Sequence, residues 1–539
     1  KIITVPDFDG AMKYAENGIA FLSKTCWETQ YDLSLRLYEI SVMSQFSHYN
    51  NCNHQCQLMK RIDTVFEHAR GFSDKFNTHH IWIKLLSLTN LPRAIEESLL
   101  VLEQLGQSFD LSNTDYTQVC EELMKLSSGE LDCSLVKFLN DRKKMNAMKV
   151  MTSLILFYTQ SKSFLGALIS CRMVEITMND GFCEDSIFGA AAFASSLVTS
   201  AGDIDCGHSW GRKAVALMNM SGKQSHIPAT NLALYGTVFM WKEPTQASLE
   251  FLSQGIRASF AYGNVDFAIL NVVVYTARSF FVGKQISVLT AEVGSFARSF
   301  RNRFGDQVSS IQAYLQSVHN ILYKLQDDEV KNEQQGPSFD LHLDFELLEM
   351  TKENNQLLFF HAVLTPLTIT MFMVRNLESA LAFTDMYFEL FDANKSQTKL
   401  IFVQNVFYDG LINLYFMGKT GESRHLERGK NAVSKMREWS RHSDWNFKNK
   451  LLLLNAELHR VMNESYQAAS CYEESIKAAN DHKFINEEAI ANELAGIFYV
   501  GQGDRQRSLS HFKRSVECYQ KWGAPVIARR IEAIIETMF

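Results

Sequence analysis

The sequence predicts an all-α fold, a superhelical solenoid of antiparallel helical hairpins. Three observations favour it. Proline is scarce, with 7 in 539 residues, and proline interrupts helices because it removes a backbone hydrogen bond. Apolar residues recur at helical spacing along most of the chain, and no segment alternates as a strand would. Near the C-terminus, one pattern of small and aromatic residues occurs twice, forty residues apart.

In each copy of this pattern, two small residues lie twelve positions apart, and an aromatic residue follows the second by four. Small residues let two helices approach closely, and the aromatic side chain fills the space between them. Such hairpins are typical of tetratricopeptide-like repeats, here with a looser period. The packing positions that the pattern predicts are Ala456, Ala468, Tyr472, Gly496, Tyr499, Ser508, Phe512 and Trp522.

The helices follow one another along the whole chain. Pro92 falls in a first turn, where proline is tolerated, and Gly181, Gly202 and Gly283 fall in turns, where tight or left-handed backbone favours glycine. Before residue 327 the spacing predicts helices at about 9–23, 31–46, 56–71, 78–90, 92–105, 114–127, 131–143, 146–160, 164–179, 184–201, 206–221, 228–242, 245–262, 264–282, 285–304 and 307–326. After residue 339 it predicts helices at about 340–353, 355–375, 377–393, 398–417, 422–440, 446–462, 465–481, 485–501, 505–521 and 525–538.

Residues 327–339 break this composition. The segment is charged, poor in apolar residues and contains Gly-Pro, so it predicts an exposed loop or linker. The expected organisation is an N-terminal helical-repeat segment at 1–326, this loop, and a C-terminal tetratricopeptide-like segment at 340–539.

Charge and composition narrow the classes of partner and compartment. The net charge is −7 and the isoelectric point about 6.1, which does not favour nucleic-acid binding. The ten cysteines are scattered, as expected in a reducing compartment such as the cytoplasm. Apolar runs such as 190–198 are too short to span a membrane. Because the first residue is Lys1, we expect that the gene starts upstream.

No catalytic or cofactor-binding motif is expected. Gly418-Lys419-Thr420 has the ending of a phosphate-binding loop, but Asn413 stands where that loop needs glycine, inside an apolar helix. The chain lacks Gly-x-Ser-x-Gly and His-Glu-x-x-His. The sequence therefore predicts neither an enzyme nor a cofactor for this region, and a cryptic active site is the weakest alternative.

One polar stretch contains residue types that bind zinc. His48, Cys52, His54 and Cys56 lie between two predicted helices, and imidazole and thiolate are zinc ligands. Their spacing is irregular, and a solvated loop would contain the same residues. We expect no metal and keep these four as weak candidates.

Two further groups of residues have both a structural and a binding interpretation. Aromatic residues at helical spacing favour a core, but some could line a groove on the concave face of a repeat array. This aromatic group consists of Phe280, Phe281, Phe359, Phe360, Phe402, Phe407, Tyr408, Tyr415 and Phe416. The residues of a second group are basic, and they either complement the helix dipole at helix ends or contact a partner. This group consists of Lys513, Arg514, Lys521, Arg529 and Arg530.

Several segments carry a resemblance to a known family. They include Trp522-Gly523-Ala524 and Glu488-Ala489-x2-Asn492-Glu493-Leu494-Ala495, and the resemblance extends over residues 11–39, 94–106, 439–458, 468–495 and 519–524. In order and spacing they resemble the helical-repeat region of large multidomain signalling proteins. Those proteins join a kinase-like domain, a predicted ATPase of the AAA/STAND type, and often GAF and histidine-kinase modules.

The resemblance implies a scaffold without catalytic residues. In the STAND class, such repeats sense a ligand or partner and restrain the ATPase. We therefore expect a non-catalytic regulatory scaffold that binds a protein partner or peptide, or a small molecule, on its concave face. The alternative is a stand-alone structural subunit that assembles a multiprotein complex.

Overall fold

A computed structural model describes most of the chain. The described residues are 7–46, 52–111, 114–129, 131, 137–160, 164–222, 224–304, 309–326, 342–353, 357–393 and 399–538. Within them the structure is helical and contains no strand, and its one pairing of extended residues is an isolated bridge between Phe138 and Phe182. The predicted all-α class is confirmed. The predicted loop at 327–339 lies outside the described residues.

The chain forms two compact units. Unit 1 comprises residues 1–234, 254–269 and 299–308, and unit 2 comprises 235–253, 270–298 and 309–539. Each unit is thus assembled from three stretches of sequence, and the division does not fall at a single point of the chain.

The helices before residue 327 are α1 Phe8–Phe21, α2 Cys26–Thr29, α3 Tyr31–Phe46, α4 Cys52–His68, α5 Phe72–Thr89, α6 Leu91–Gln104, α7 Tyr116–Ser127, α8 Arg142–Gln160, α9 Leu165–Asn179, α10 Asp185–Ser196, α11 Ile204–Ser221, α12 Ile227–Ala233, α13 Ser248–Tyr262, α14 Val265–Phe281, α15 Ile286–Phe304 and α16 Ser309–Gln326. Wider π-helical turns occur at Leu197–Ala201 and Leu234–Val238, and 3₁₀ turns at Phe239–Trp241 and Thr245–Ala247. The later helices are α17 His342–Glu353, α18 Leu357–Met373, α19 Leu377–Ala393, α20 Lys399–Thr420, α21 Ser423–Ser440, α22 Asp444–Val461, α23 Ser465–Asp481, α24 Ile485–Gly501, α25 Arg505–Trp522 and α26 Pro525–Met538.

Helices that are adjacent in sequence pack against each other, as the hairpin pattern predicts. In unit 2, α20 packs on α21, α22 on α23, and α24 on α25. Helices two positions apart in the chain are also in contact: α18 with α20, α20 with α22, and α22 with α24. These contacts place α18, α20, α22 and α24 side by side in unit 2. We call the surface of these four helices and α26, which borders the same pocket, the even-numbered face.

Three predicted helices are wrong in part. The helix expected at 184–201 ends as an α-helix at Ser196 and continues as the π turn Leu197–Ala201. Residues 137–141 are not helical, because the N–H of Leu139 donates to the carbonyl of Phe182 at 2.8 Å and the N–H of Phe182 donates to that of Lys137 at 2.6 Å. Residues 132–136 lie outside the described residues. The helix expected at 228–242 ends as an α-helix at Ala233 and continues through the π and 3₁₀ turns.

Within unit 2, the side chain of Arg278 donates hydrogen bonds to two carbonyls of the second π turn. It is buried and donates to the carbonyl oxygens of Tyr235 and Gly236, and to Ser248 Oγ at 2.9 Å. Burial lowers the pKa of Arg278 to about 9. Local helical periodicity contains no sign of this tertiary hydrogen bonding, which is why the sequence pattern predicts a continuous α-helix there.

The repeated pattern lies in the core of unit 2, where all eight of its positions are buried. At the second copy, a Cβ atom built on Gly496 would lie 2.8 Å from the ring of Phe512. Ser508 Oγ donates to the carbonyl of Gly496 at 2.9 Å. The contact between α24 and α25 is therefore close enough that it leaves no room for a side chain at residue 496.

Unit 2 also joins residues that are about two hundred positions apart in sequence. The ring of Trp241 lies 5.8 Å from that of Trp439 and 5.6 Å from that of Phe447. Trp522 Nε1 donates to the carbonyl of Lys284 at 3.0 Å. An ideal linear array has contacts between neighbouring repeats only, so these contacts add a second set of interactions to the hairpin packing.

Candidate functional site

Unit 2 contains a pocket of about 330 Å³ on the face formed by its even-numbered helices. This volume is at the lower end of the range found for small-molecule sites, about 300–1,000 Å³. The pocket takes residues from α20, α22, α24 and α26, from the last turn of α18, and from the start of α19. A ligand in it would touch elements of several consecutive hairpins.

Arg375 reaches the pocket from the turn that follows α18. Its φ angle is +64°, in the left-handed region that favours glycine, and an L-residue there costs about 1–2 kcal/mol. The turn is held by the N–H of Asn376, which donates to the carbonyl of Met371 at 3.0 Å. This turn directs the guanidinium group towards Glu493, with 2.7 Å between Nε and Oε1.

Glu493 on α24 receives a second guanidinium group from α26. Arg530 Nη2 lies 2.8 Å from Oε1 and 2.9 Å from Oε2. Burial by itself would raise the pKa of Glu493, whose side chain is 2% exposed, but Arg375 and Arg530 outweigh it and the pKa lies below its usual value. The carboxylate is therefore held ionised between two cations.

A second carboxylate lies on the neighbouring helix. Glu457 on α22 accepts from Arg460 Nε at 2.9 Å and Nη2 at 2.7 Å, and its other oxygen accepts from the hydroxyl of Tyr472. Burial, followed by the charge of Glu457, raises the pKa of Tyr472. Tyr472 thus orients Glu457 in addition to filling the space between α22 and α23.

The pocket combines an excess of positive charge with an apolar wall. Three arginines and two glutamates line it, which leaves one positive charge not matched by a carboxylate of the lining. Much of the remaining surface is aliphatic or aromatic, and includes Ile497, which is 44% exposed, and Tyr415, which is 37% exposed. Chemically, the arrangement suits an apolar group that carries negative charge.

The metal candidates are only partly described. His48 lies outside the described residues, as do the side chains of Cys52 and His54, whose backbones belong to α4. Cys56 is exposed on the same helix. Among the residues that can be described, no group of three or more His, Cys, Asp or Glu side chains could hold a metal ion.

The phosphate-loop tripeptide and the aromatic group have clear positions. Gly418-Lys419-Thr420 is the last turn of α20, and Lys419 Nζ pairs with Glu378 at 2.9 Å. Most of the aromatic group is buried, whereas Tyr415 lines the pocket. The aromatic pattern thus contained one residue of the candidate site among many residues of the core.

The residues of the basic C-terminal group lie in different places. Arg530 lies in the pocket, whereas Arg514 pairs outside it with Glu488 at 2.8 Å. Sequence reasoning missed Arg375, Arg460 and Glu457 as pocket residues. One usable signal was present, because Arg375 follows an apolar helix at a place where glycine is usual.

None of the helices described is both long and apolar enough to cross a bilayer. No family model matches the chain, and no curated protein matches it.

Proposed function

We propose that the chain is a non-catalytic regulatory scaffold, a tetratricopeptide-like superhelix that senses a ligand or partner through the pocket of unit 2. The observation that supports the proposal is the origin of the pocket wall. It comes mainly from the even-numbered helices α18 to α26, so a single bound molecule would bridge successive hairpins. In a repeat array, stability and curvature depend on such neighbour contacts.

The side chains that line the pocket suit binding better than catalysis. Its charged groups are engaged in ion pairs, with Glu457 bound by Arg460 and Glu493 bound by two arginines. General acid or base chemistry instead needs a group whose pKa lies near the working pH, and the pKa of Glu493 is shifted the other way. The lining contains no Ser, Cys or His side chain.

The proposed sensing mechanism is a shift between two arrangements of the hairpins. A ligand shifts such an equilibrium only by its difference in affinity for the two arrangements. We further propose, from the sequence resemblance, that this array regulates an ATPase or kinase module of a larger signalling protein in the cytoplasm.

Site-specific photo-crosslinking would test the binding role. A benzoylphenylalanine replaces Tyr415 in the pocket, and in a matched control it replaces Tyr466, which is 86% exposed on α23. Both proteins are illuminated in native cell extract, and adducts are identified by mass spectrometry. We expect a defined adduct at residue 415 that is absent at residue 466, and Arg530→Gln should reduce it.

The opposite result is equally clear. If residue 415 gives no adduct beyond those of residue 466, the even-numbered face is not a binding surface and the proposal fails. Where the adduct at residue 415 does form, small-angle scattering of the isolated adduct tests the sensing step. A scattering profile that is the same as that of the free protein would favour the structural-subunit alternative.

A further inference from the structure

The pocket of unit 2 is specific enough to indicate a class of ligand. We propose that it binds a small amphipathic monoanion, an apolar body with one carboxylate or sulfate-like headgroup, and that Arg375 and Arg530 hold the headgroup. This inference rests on the binding role proposed above and adds the chemistry of the ligand to it.

The charge balance around Glu493 is the first argument. Two guanidinium groups, those of Arg375 and Arg530, share this one carboxylate, while Arg460 has Glu457 to itself. The pocket therefore carries one positive charge in excess. One anionic headgroup would neutralise it, a cation would be repelled, and a second negative charge would have no partner.

Unused hydrogen-bond donors are the second argument. Arg530 reaches Glu493 through Nη2, while its Nε is buried and makes no hydrogen bond within the described residues. Nη2 of Arg375 is also buried and, although it lies 2.7 Å from Glu493 Oε1, it lacks hydrogen-bond geometry. Guanidinium groups have five donors in a planar fork that matches oxyanions, and Glu493 leaves part of each fork without a hydrogen-bond acceptor.

The backbone of Arg375 is the third argument. Glycine would adopt its left-handed conformation without strain, yet the chain places a long cationic side chain there. The ring of Phe372 lies 5.1 Å from the guanidinium carbon and helps to hold it. Asn463 and Lys483 adopt the same conformation in equivalent turns, so Arg375 is distinguished by its place in the lining of the pocket.

The apolar wall of the pocket indicates that the part of the ligand beyond its headgroup is apolar. Leu411, Tyr415, Ile497 and Ile534 contribute hydrocarbon surface beside the arginines, and half-exposed Ile497 and Tyr415 would gain burial when a ligand covers them. The volume of about 330 Å³ limits the ligand to a small molecule or a single side chain.

Calorimetric titration of the full chain with four probes of equal chain length tests the class. The probes are octanoate and octyl sulfate as monoanions, octanol as the neutral molecule, and octylammonium as the cation. We expect both anions, or one of them, to bind at least tenfold more tightly than octanol, and octylammonium not to bind. Whichever anion binds more tightly identifies the preferred headgroup. Equal binding of octanol and both anions would overturn the proposal.

Two variants locate the site, and a third is the matched control. Arg530→Gln removes the positive charge of α26. Arg375→Gly removes the other charge and places glycine at a position whose backbone favours glycine, so the turn stays intact. Each should weaken binding of the anions at least tenfold. Arg424→Gln, at an arginine that is 71% exposed and pairs with Glu422, should leave the affinity unchanged.

The outcomes separate this inference from the function on which it rests. Unchanged anion affinity in folded Arg375→Gly protein would overturn the assignment of the headgroup. If no anion binds but residue 415 still gives its defined adduct, the ligand class is wrong and the binding role stands. If neither occurs, both proposals fail.

Discussion

Single residues decide how closely the hairpins of unit 2 pack. Gly496 faces the ring of Phe512 at a distance that excludes even a methyl group. At Gly501, on the same helix, an added methyl group would meet open space, with no neighbouring element within 4 Å. The two glycines therefore form a natural pair for separating tertiary packing from helix propensity.

We expect Gly496→Ala to lower the free energy of unfolding by about 1–3 kcal/mol, the usual cost of overpacking a filled core. Gly501→Ala should be neutral or should raise it by up to about 1 kcal/mol, because alanine favours helix over glycine. Denaturant titration of both variants measures the difference. Equal stability of the two would mean that residue 496 does not lie in the close contact of α24 with α25.

Glu493 makes the stability of unit 2 depend on pH. Its pKa is lowered in the folded protein. The stability that its ionised form adds is therefore fully present above the unfolded pKa of about 4.3. The contribution is lost as the pH falls through the lower, folded-state pKa. We expect Glu493→Gln to be less stable than the wild type by a constant amount from pH 7 to about pH 5.

Below the unfolded pKa of about 4.3 the difference should shrink, and the two proteins should converge once the pH lies below the folded-state pKa, where the wild-type carboxyl group is neutral as well. Denaturant titrations at a series of pH values would measure this difference. A difference that persists unchanged down to pH 3 would show that the ion pairs with Arg375 and Arg530 do not lower the pKa.

At the scale of elements, the side chain of Asn446 makes most of the hydrogen bonds that hold the N-terminal end of α22, beside a single bond from Trp445 to Gln246. Asn446 Nδ2 donates to the carbonyls of Met240 and Glu243, both at 2.7 Å, and its Oδ1 accepts from the N–H of Thr245 at 3.0 Å. The residue is buried. These bonds connect the segment 240–245 to α22 within unit 2.

We expect Asn446→Ala to lower the free energy of unfolding by about 2–4 kcal/mol, since each buried polar group left without a partner costs about 1–3 kcal/mol. Asn480→Ala is the control, because Asn480 is exposed in the last turn of α23. Hydrogen exchange should also quicken in 240–245 in the first variant alone. Unchanged exchange there would mean that Asn446 does not hold this segment.

At the scale of the whole molecule, unit 2 depends on stretches far apart in sequence. Residues 235–253 and 270–298 belong to it together with 309–539. They supply Trp241 to the aromatic cluster with Trp439 and Phe447, and the carbonyl of Lys284 to Trp522. A fragment that starts after them would expose this apolar surface.

We therefore expect a fragment of residues 235–539 to unfold cooperatively on heating, and a fragment of residues 309–539 to melt at a clearly lower temperature or without cooperativity. Circular dichroism during heating measures both. Equal melting temperatures would favour independent folding of the C-terminal hairpins, as expected from the loop predicted at 327–339.

Sequence alone determined the helical class and most helix positions, because apolar spacing and scarce proline are local properties. It also placed the small and aromatic residues of α22 to α25, since their spacing repeats.

Tertiary structure decided the rest. Phe182 draws residues 137–141 out of a helix, and Arg278 stabilises a π turn. Arg375 and Arg530, more than 150 residues apart, meet at Glu493. Periodicity cannot predict these meetings, because they depend on which helices become neighbours in space.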